Sequence, residues 1–267
     1  MSKETTILDT IATYTKWRIK EQKKNIPLSL IRSEAENIQT HKFVFENALK
    51  KPGLSFICEC KKASPSKGII AKDFPYLAIA KEYEEAGADC ISVLTEPKWF
   101  LGSDKYLKEI SNTVTIPLLR KDFTVDEYMV YEAKAMGASC ILLICSILSV
   151  EEMKYFKDIS DDLGLSTLVE CHDESEIEKA LKINSRMIGV NNRNLKDFSV
   201  DTNNSKRLRD LVPKDILFVS ESGVNSPEDI KNIIDMGADA ALVGEVLMRA
   251  ENKKFTLDRL KGKYDKN

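Results

Sequence analysis

A short pattern recurs along the chain at intervals that limit the folds it can adopt. Gly87-Ala88-Asp89, Gly137-Ala138-Ser139 and Gly237-Ala238-Asp239 each stand between a predicted helix and a predicted strand. The glycine suits the C-terminal end of a helix, where a positive φ is needed. If the three copies precede strands two, four and eight, one strand–helix unit averages about 25 residues. Eight such units fill about 200 residues, which favours a closed (β/α)8 barrel, an α/β fold, over an open doubly wound sheet.

Apolar runs alternate with amphipathic segments after residue 50. We predict strands at 55–61, 90–95, 117–122, 140–145, 167–170, 187–191, 217–221 and 241–244. Helices are predicted near 76–86, 104–112, 125–136, 150–163, 174–181, 202–211, 227–236 and 255–261. Continuous apolar strands that alternate with helices indicate a parallel sheet covered on both sides. No G-x-G-x-x-G follows the first strand, which argues against a dinucleotide-binding fold.

The first 50 residues predict a helical extension to the barrel. Ile7, Ile11, Tyr14 and Trp17 fall at helical spacing, which indicates a helix with these residues on one face. We therefore expect a single domain over residues 1–267, with the extension at 1–50 and the TIM barrel at 51–267.

Composition and charge exclude several classes of protein. The 40 basic and 42 acidic residues are interspersed, so no global field favours nucleic acid or an anionic membrane. The longest uncharged apolar stretch, 136–148, is too short to span a bilayer, and the N-terminus has no signal-peptide core. Six cysteines without C-x-x-C and only two histidines argue against a metal site. We expect a cytoplasmic protein with reduced thiols, without nucleic-acid or membrane partners.

Charged and amide side chains stand at the carboxyl ends of the predicted strands, where barrel enzymes hold their active sites. Glu59 and Lys61 share one face of the first strand, where burial would be costly without compensation. The other strand ends carry Lys121, Glu170, Asn191 with Arg193, and Glu221 with Ser222. A single one of these could be a structural salt bridge or a solvated strand end. Five converging strand ends predict an active site.

Two glycine-containing loops are candidates for binding a phosphate. Gly223 precedes a helix start that has Ser226 at the N-cap, Pro227 at N1 and Asp229 at N3. Gly244 precedes a short predicted helix after the last strand. Free N–H groups at helix starts favour phosphate, and the loops after strands seven and eight often hold one in barrels. The alternative is plain turn chemistry, and Glu245 suits a phosphate only if its side chain points away.

Aromatic side chains lie near the same strand ends. Phe123 follows Lys121 by two residues, and Trp99 and Phe100 lie in the loop after the second strand. They can stack on a flat substrate ring, or they can simply pack in the core or in a lid. His172 follows Glu170 by two residues, but a lone histidine is more often a packing residue, so we assign it no role.

These motifs, in this order, resemble the indole-3-glycerol phosphate synthase family. Segment 59–68, ECKKASPSKG, resembles the first-strand signature of the family. Segments 92–96, 121–123, 189–193 and 220–224 match further blocks in the right order and spacing. The resemblance runs from Ile7-Leu8-Asp9 to Leu247-Met248. Glu245 stands where some members carry serine, and Asn194 where aspartate is usual.

The resemblance implies a carboxy-lyase of tryptophan biosynthesis. Its substrate would be 1-(2-carboxyphenylamino)-1-deoxyribulose 5-phosphate, and its products indole-3-glycerol phosphate, CO2 and water. This chemistry needs general acids and bases, and no metal, nucleotide or redox cofactor. Lys121 would be the general acid, with Glu59 and Glu170 as acid–base candidates whose order is left open.

The resemblance also implies how the remaining residues divide between catalysis and binding. Lys61 would bind the anionic substrate and assist water loss, while Asn191, Arg193 and Ser222 would orient its hydroxyl, carboxylate and phosphate groups. The catalytic set is Glu59, Lys61, Lys121, Glu170, Asn191 and Ser222. The substrate-binding set is Ser64, Phe100, Phe123, Arg193, Glu221, Gly223 and Gly244, and the last two would offer backbone N–H groups to the phosphate.

Two other functions fit the same residues. One is a Schiff-base lyase of the aldolase type that uses Lys61 or Lys121 as an amine nucleophile. The other is a non-catalytic barrel that binds a phosphorylated metabolite as a partner subunit. The intact set of acids and bases argues against the second. We expect a monomer or a weak homo-oligomer.

Overall fold

Eight parallel strands close into a barrel in the computed structural model, which describes residues 6–194 and 197–263. The strands are β1 Ser55–Cys60, β2 Cys90–Leu94, β3 Leu118–Lys121, β4 Cys140–Ile144, β5 Ser166–Cys171, β6 Met187–Asn191, β7 Leu217–Glu221 and β8 Ala240–Val243. Each strand pairs with the next along the chain, and β8 pairs with β1 to close the ring. The predicted barrel is confirmed, and each predicted strand end lies within one residue of the observed end.

Helices cover the barrel between the strands and precede it. They are α1 Ile7–Asn25, α2 Leu28–Asn37, α3 Val44–Leu49, α4 Tyr76–Glu85, α5 Asp104–Ser111, α6 Glu127–Ala135, α7 Val150–Asp162, α8 Glu174–Lys182, α9 Asn203–Arg209, α10 Pro227–Asp235, α11 Glu245–Arg249 and α12 Lys253–Leu260. A two-stranded ribbon, Ala63–Ser64 with Gly68–Ile69, lies outside the barrel and was not predicted. None of the described helices is both long and apolar enough to cross a membrane. The division into extension and barrel at residue 50 stays a prediction.

The repeated glycine pattern ends three helices in the same way. Gly87, Gly137 and Gly237 have φ values of 77°, 86° and 77°, which a residue with a side chain rarely adopts. The aspartates two residues later continue the pattern into the sheet. Asp89 accepts a hydrogen bond from the backbone N–H of Phe56, and Asp239 accepts one from that of Phe218. These two aspartates therefore connect the helix ends to the first residues of neighbouring strands.

The alternation of side chains along each strand divides the core in two. Ile57 points into the barrel, whereas Phe56 and Cys58 point outward against the helices. Phe45 and Leu49 of α3 join the inner cluster at the amino end of the strands, where Leu49 accepts a hydrogen bond from Ser55. The carboxyl end is thus the end of the barrel that remains available for a site.

The predicted helix at the start of the chain is confirmed. Of the four apolar residues noted at helical spacing, Ile11 is buried, whereas Trp17 is 56% exposed. The ring of Trp17 packs 5.5 Å from that of Tyr14, which packs against Trp99. The buried face is Leu8, Ile11, Ala12, Thr15 and Ile19. The aromatic rings pack against one another at the surface, and smaller residues form the contact with the barrel.

Candidate active site

A cavity of about 400 Å³ opens at the carboxyl end of the strands. All the residues predicted for catalysis and binding line it: Glu59, Lys61, Ser64, Phe100, Lys121, Phe123, Glu170, Asn191, Arg193, Glu221, Ser222, Gly223 and Gly244. The N-terminal extension contributes Ile7, Leu8 and Ile11 to the same lining. The inward parity of alternate strand residues therefore brings the predicted set together.

Lys121 lies at the centre of the charged groups. Its Nζ is 3.1 Å from Glu170 Oε2 and 3.2 Å from Glu221 Oε2, so β5 and β7 present carboxylates to a lysine on β3. Burial acts to lower the pKa of Lys121, but the charges of Glu170 and Glu221 outweigh it and raise the pKa well above its usual value. Lys121 is therefore an ammonium at neutral pH and can donate a proton.

The two carboxylates that share Lys121 differ in their affinity for protons. Burial acts to raise the pKa of Glu170, but Lys121 and His172 outweigh it and lower the pKa. Burial, reinforced by the charge of Glu170, raises the pKa of Glu221 to about 7. One ammonium does not compensate two buried carboxylates equally, and the cluster can therefore hold an additional proton near neutral pH. The sequence placed Glu221 with the binding residues, but in the structure it contacts Lys121 directly.

Two glycines leave room for this cluster. A Cβ on Gly189 in β6 would overlap Glu221 Oε1, and one on Gly244 would lie 2.5 Å from Glu59 Oε2. Gly244 has a φ of −120°, which any residue can adopt, so space rather than backbone conformation requires a glycine there. The sequence suggested Gly244 for its backbone N–H group and gave no reason to select Gly189.

Glu59 and Lys61 form the predicted ion pair at the end of β1. The side chain of Glu59 is 5% exposed and that of Lys61 is 19% exposed, because Lys61 lies one residue beyond the strand. Both line the cavity, so each charge is compensated by the other while still facing a ligand. Such a pair supplies an acid and a base at one wall.

Polar groups at the ends of β6 and β7 form a second wall. Ser222 donates a hydrogen bond of 2.9 Å to Asn191 Oδ1, which also accepts one from the Arg193 backbone N–H at 3.0 Å. Ser222 has a φ of 67°, an uncommon conformation for a residue with a side chain, and Gly223 follows at 95°. Backbone strain of this kind is often found at functional sites.

The predicted helix start after β7 is confirmed. Ser226 is the N-cap of α10, with Pro227 in the first turn and a capping box formed with Asp229. After β8, α11 begins at Glu245 with Gly244 as its N-cap and no side-chain cap, and both residues line the cavity. The carboxylate of Glu245 lies 3.1 Å from Arg249 Nε and 3.9 Å from Lys67 Nζ. Its charge is therefore compensated by neighbouring cations.

Two aromatic rings form a tilted pair in the lining of the cavity. The rings of Phe100 and Phe123 are 6.3 Å apart, and both line the cavity. Glu96, which sequence reasoning missed, is fully buried and accepts hydrogen bonds from the backbone N–H groups of Lys98, Trp99 and Phe100. It fixes the loop that presents Phe100. An acidic residue followed by two aromatics in a loop was the only signal for it.

His172 is the other residue that the sequence did not assign. Its Nε2 lies 3.5 Å from Glu170 Oε1, and its Nδ1 lies 3.1 Å from Glu176 Oε2. The spacing of two residues from Glu170, which puts both on one face, was the available signal. His172 thus contacts the acid–base cluster through the oxygen of Glu170 that faces away from Lys121.

The fold and the site together define a class of protein, the (β/α)8-barrel enzymes that have an acid–base cluster at the carboxyl ends of their strands. A family model described as Indole-3-glycerol phosphate synthase matches residues 8–260. The indole-3-glycerol phosphate synthase of Ruminiclostridium cellulolyticum is 54% identical over 96% of this chain and 99% of its own length. That of Lachnoclostridium phytofermentans is 49% identical over 96% and 98%.

The solved structure of 3-hexulose-6-phosphate synthase from Salmonella typhimurium has a TM-score of 0.65 at 12% identity. The match covers 78% of this chain and 97% of the chain of that synthase. At this identity it supports the fold alone. The chain belongs to the indole-3-glycerol phosphate synthase family. It is a carboxy-lyase of tryptophan biosynthesis, and the predicted family, enzyme class and fold are confirmed.

Proposed function

We propose that this cavity binds 1-(2-carboxyphenylamino)-1-deoxyribulose 5-phosphate and closes its indole ring with the residues described above. The observation that carries the proposal is the position of Lys121, held as an ammonium between Glu170 and Glu221. Ring closure places negative charge on a ketone oxygen, and an ammonium with two adjacent carboxylates can both donate a proton and be reprotonated.

The substrate spans the cavity from its aromatic wall to its glycine-containing loops. The carboxyphenyl ring packs against Phe100 and Phe123, whose rings give a flat ring apolar contact. The phosphate lies at the loops after β7 and β8, where the backbone N–H groups of Gly223 and Gly244 are available to it. Arg193 and Ser64 add donors for the carboxylate and the hydroxyl groups.

The first chemical step forms a carbon–carbon bond. The ring carbon that carries the carboxylate attacks the ketone carbon, and Lys121 delivers a proton to the ketone oxygen. The bond to the carboxylate then breaks, CO2 leaves, and its electron pair restores the aromatic ring. Asn191 and Ser222, already joined by a hydrogen bond, orient the ribulose hydroxyl groups during this step.

The second step removes water. The new hydroxyl group takes up a proton and leaves, and a base removes a proton from the methylene carbon beside the nitrogen. Glu59 and Glu170 are the two acid–base candidates, on opposite walls of the cavity. Lys61, paired with Glu59, stabilises the anionic substrate and assists the departure of water.

A Schiff-base mechanism requires a neutral lysine amine. The two carboxylates beside Lys121 favour its ammonium form and therefore general-acid catalysis. Borohydride added during turnover should leave Lys121 unmodified by mass spectrometry. A substrate-dependent reduced adduct on Lys121 would instead establish covalent catalysis.

The direct test is turnover by the purified chain. With the carboxyphenylamino substrate we expect a rise in indole fluorescence and release of one CO2 for each indole formed. Addition of inorganic phosphate should compete with the substrate and raise KM without changing kcat. Failure to form indole-3-glycerol phosphate with an intact fold would overturn the proposal.

We also propose a cytoplasmic enzyme. All six cysteines are buried free thiols, which suits a reducing compartment, and the family is biosynthetic. A monomer or weak homo-oligomer, without a nucleic-acid partner, stays a prediction that sedimentation of the purified chain would test.

A further inference from the structure

The reaction in the proposed function consumes a proton. One oxygen atom must be protonated twice, first as the ketone oxygen on ring closure and again as it leaves as water. Only one proton returns, from the methylene carbon that becomes part of the indole double bond. A substrate bound as the carboxylate therefore takes up one proton for each CO2, water and indole-3-glycerol phosphate formed.

This proton must reach a site that the substrate itself covers. Substrate in the cavity displaces water from Lys121, whose side chain is only 13% exposed even in the open cavity. Lys121 is in contact with two carboxylates, and each of them offers a route by which its lost proton can be replaced. Of these, Glu170 has a second polar contact behind the cavity wall.

That contact is His172. Its Nε2 is 3.5 Å from Glu170 Oε1, while Glu170 Oε2 is 3.1 Å from Lys121 Nζ. The Nε2 atom is buried and has no hydrogen-bond partner within the part of the chain that the structure describes. A movement of about 0.4 Å would bring it to hydrogen-bond distance of the carboxylate. His172 is absent from the described lining of the cavity, so it approaches Glu170 from outside.

The other side of the imidazole leads to solvent. His172 Nδ1 lies 3.1 Å from Glu176 Oε2 and 3.3 Å from Ser146 Oγ. Ser146, which is exposed, donates a hydrogen bond of 2.7 Å to Glu176 Oε1. A series of proton-carrying groups therefore runs from the surface to the general acid, with one gap of 3.5 Å between His172 Nε2 and Glu170 Oε1.

We propose that His172 relays a proton from solvent, past Ser146 and Glu176, to Glu170 and on to Lys121 while substrate fills the cavity. This inference rests on the proposed function, which fixes the proton balance. In each turnover the imidazole accepts a proton at Nδ1 from the Glu176 side and releases its Nε2 proton to Glu170, which passes it to Lys121. Rotation of the ring then exchanges the two nitrogens and restores the starting tautomer. His172 acts through Glu170 and does not touch the substrate, so it is a positioning and relay residue.

The charges around His172 suit this role. The titratable groups that face it are Glu170 on β5, Asp173 and Glu176 at the start of α8, and Glu221 on β7, with Lys121 on β3 beyond Glu170. Burial acts to lower the pKa of His172, but the hydrogen bond to Glu176 and the charge of Glu170 outweigh it and raise the pKa. The imidazole can therefore take up a proton at neutral pH and hold it beside Glu170, which accepts it once Lys121 has given up its own proton.

The test compares His172→Asn and His172→Gln with His41→Asn. Asparagine retains a polar atom near the Nδ1 position and glutamine one near Nε2. Neither side chain can take up a proton and release it again at neutral pH. His41 is exposed, between α2 and α3, and serves as the matched control. Single-turnover indole fluorescence measures the chemical step without product release.

We expect both His172 variants to lose about 10-fold or more in single-turnover rate, with KM unchanged, and the control to match the unmutated protein. Imidazole buffer at constant pH and ionic strength should restore part of the rate through the exposed Ser146 side, and the solvent deuterium effect should increase. A rate within twofold of the unmutated protein would overturn the relay. So would a loss that neither imidazole nor deuterium affects, because that pattern indicates a structural role. If the unmutated protein forms no indole product, the proposed function itself fails.

Discussion

At the scale of single residues, the proposed chemistry depends on a glycine in β6. Gly189 in β6 lies beside Glu221 of the neighbouring strand β7, and any Cβ there would overlap the carboxylate. Glu221 in turn lies 3.2 Å from Lys121. The geometry of the general acid therefore depends on a glycine that makes no hydrogen bond to it.

Gly189→Ala should displace Glu221 and lower kcat by about 10²-fold, the loss expected when a catalytic group moves by about 1 Å. Circular dichroism should show an intact barrel. In a Glu221→Ala background the same alanine has room, so adding it should cost little further activity. Full additivity of the two losses would show that Gly189 acts by another route.

At the scale of elements, α1 is fastened to the loop that follows the general acid. Arg18 Nη2 lies 2.8 Å from Asp122 Oδ2, next to Lys121. Gln22 and Lys23 continue the contact, with hydrogen bonds to Glu132 and Asp126. The first turns of α1 also line the cavity, so one helix contacts both the cavity and the residue that follows β3. We therefore expect substrate binding to depend on this contact.

Arg18→Gln should lower the free energy of unfolding and raise KM. Breaking a fully buried ion pair costs about 3–5 kcal/mol, and the 14% exposure of Arg18 reduces the expected loss to about 2 kcal/mol. The control is Arg32→Gln, whose pair with Glu36 on α2 is exposed and should contribute little to stability. If urea unfolding shows equal losses in the free energy of unfolding for the two variants, the Arg18–Asp122 ion pair does not stabilise the fold as proposed.

Local periodicity explains what could be predicted from sequence. The strands, the helix ends at Gly87, Gly137 and Gly237, and the inward parity of Glu59 and Lys121 all depend on neighbours within a few residues. The contact between Lys121 on β3 and Glu221 on β7 depends on barrel closure, which brings distant segments together. The buried face of α1 depended on packing partners that helical spacing does not specify.

At the scale of the whole molecule, the stability of the fold depends on pH through two buried carboxylates, Asp122 and Glu221. Asp122 is fully buried, and although burial acts to raise its pKa, Arg18 and Arg120 outweigh it and lower the pKa. Its contribution is present above the unfolded pKa and is lost as the pH falls through the folded pKa. Glu221 has the opposite sign, because its folded pKa is raised.

The folded state therefore holds the Glu221 proton more tightly than the unfolded chain does. The stability that this provides is present below about 4.5 and is lost as the pH rises through about 7. Urea unfolding should show the unmutated protein losing on the order of 2 kcal/mol relative to Glu221→Gln across this range. Exposed Glu251→Gln should track the unmutated protein. A constant difference between the unmutated protein and Glu221→Gln across this range would place the titration elsewhere.

The most direct test of the central claim is the rate of indole formation by Lys121→Met, which keeps the length of the side chain and removes its proton. We expect a loss of about 10³-fold or more, equivalent to about 4 kcal/mol of transition-state stabilisation. Lys105→Met, on the exposed surface of α5, should retain full activity with the same substrate. A Lys121→Met rate within tenfold of the unmutated protein would contradict Lys121 as the general acid.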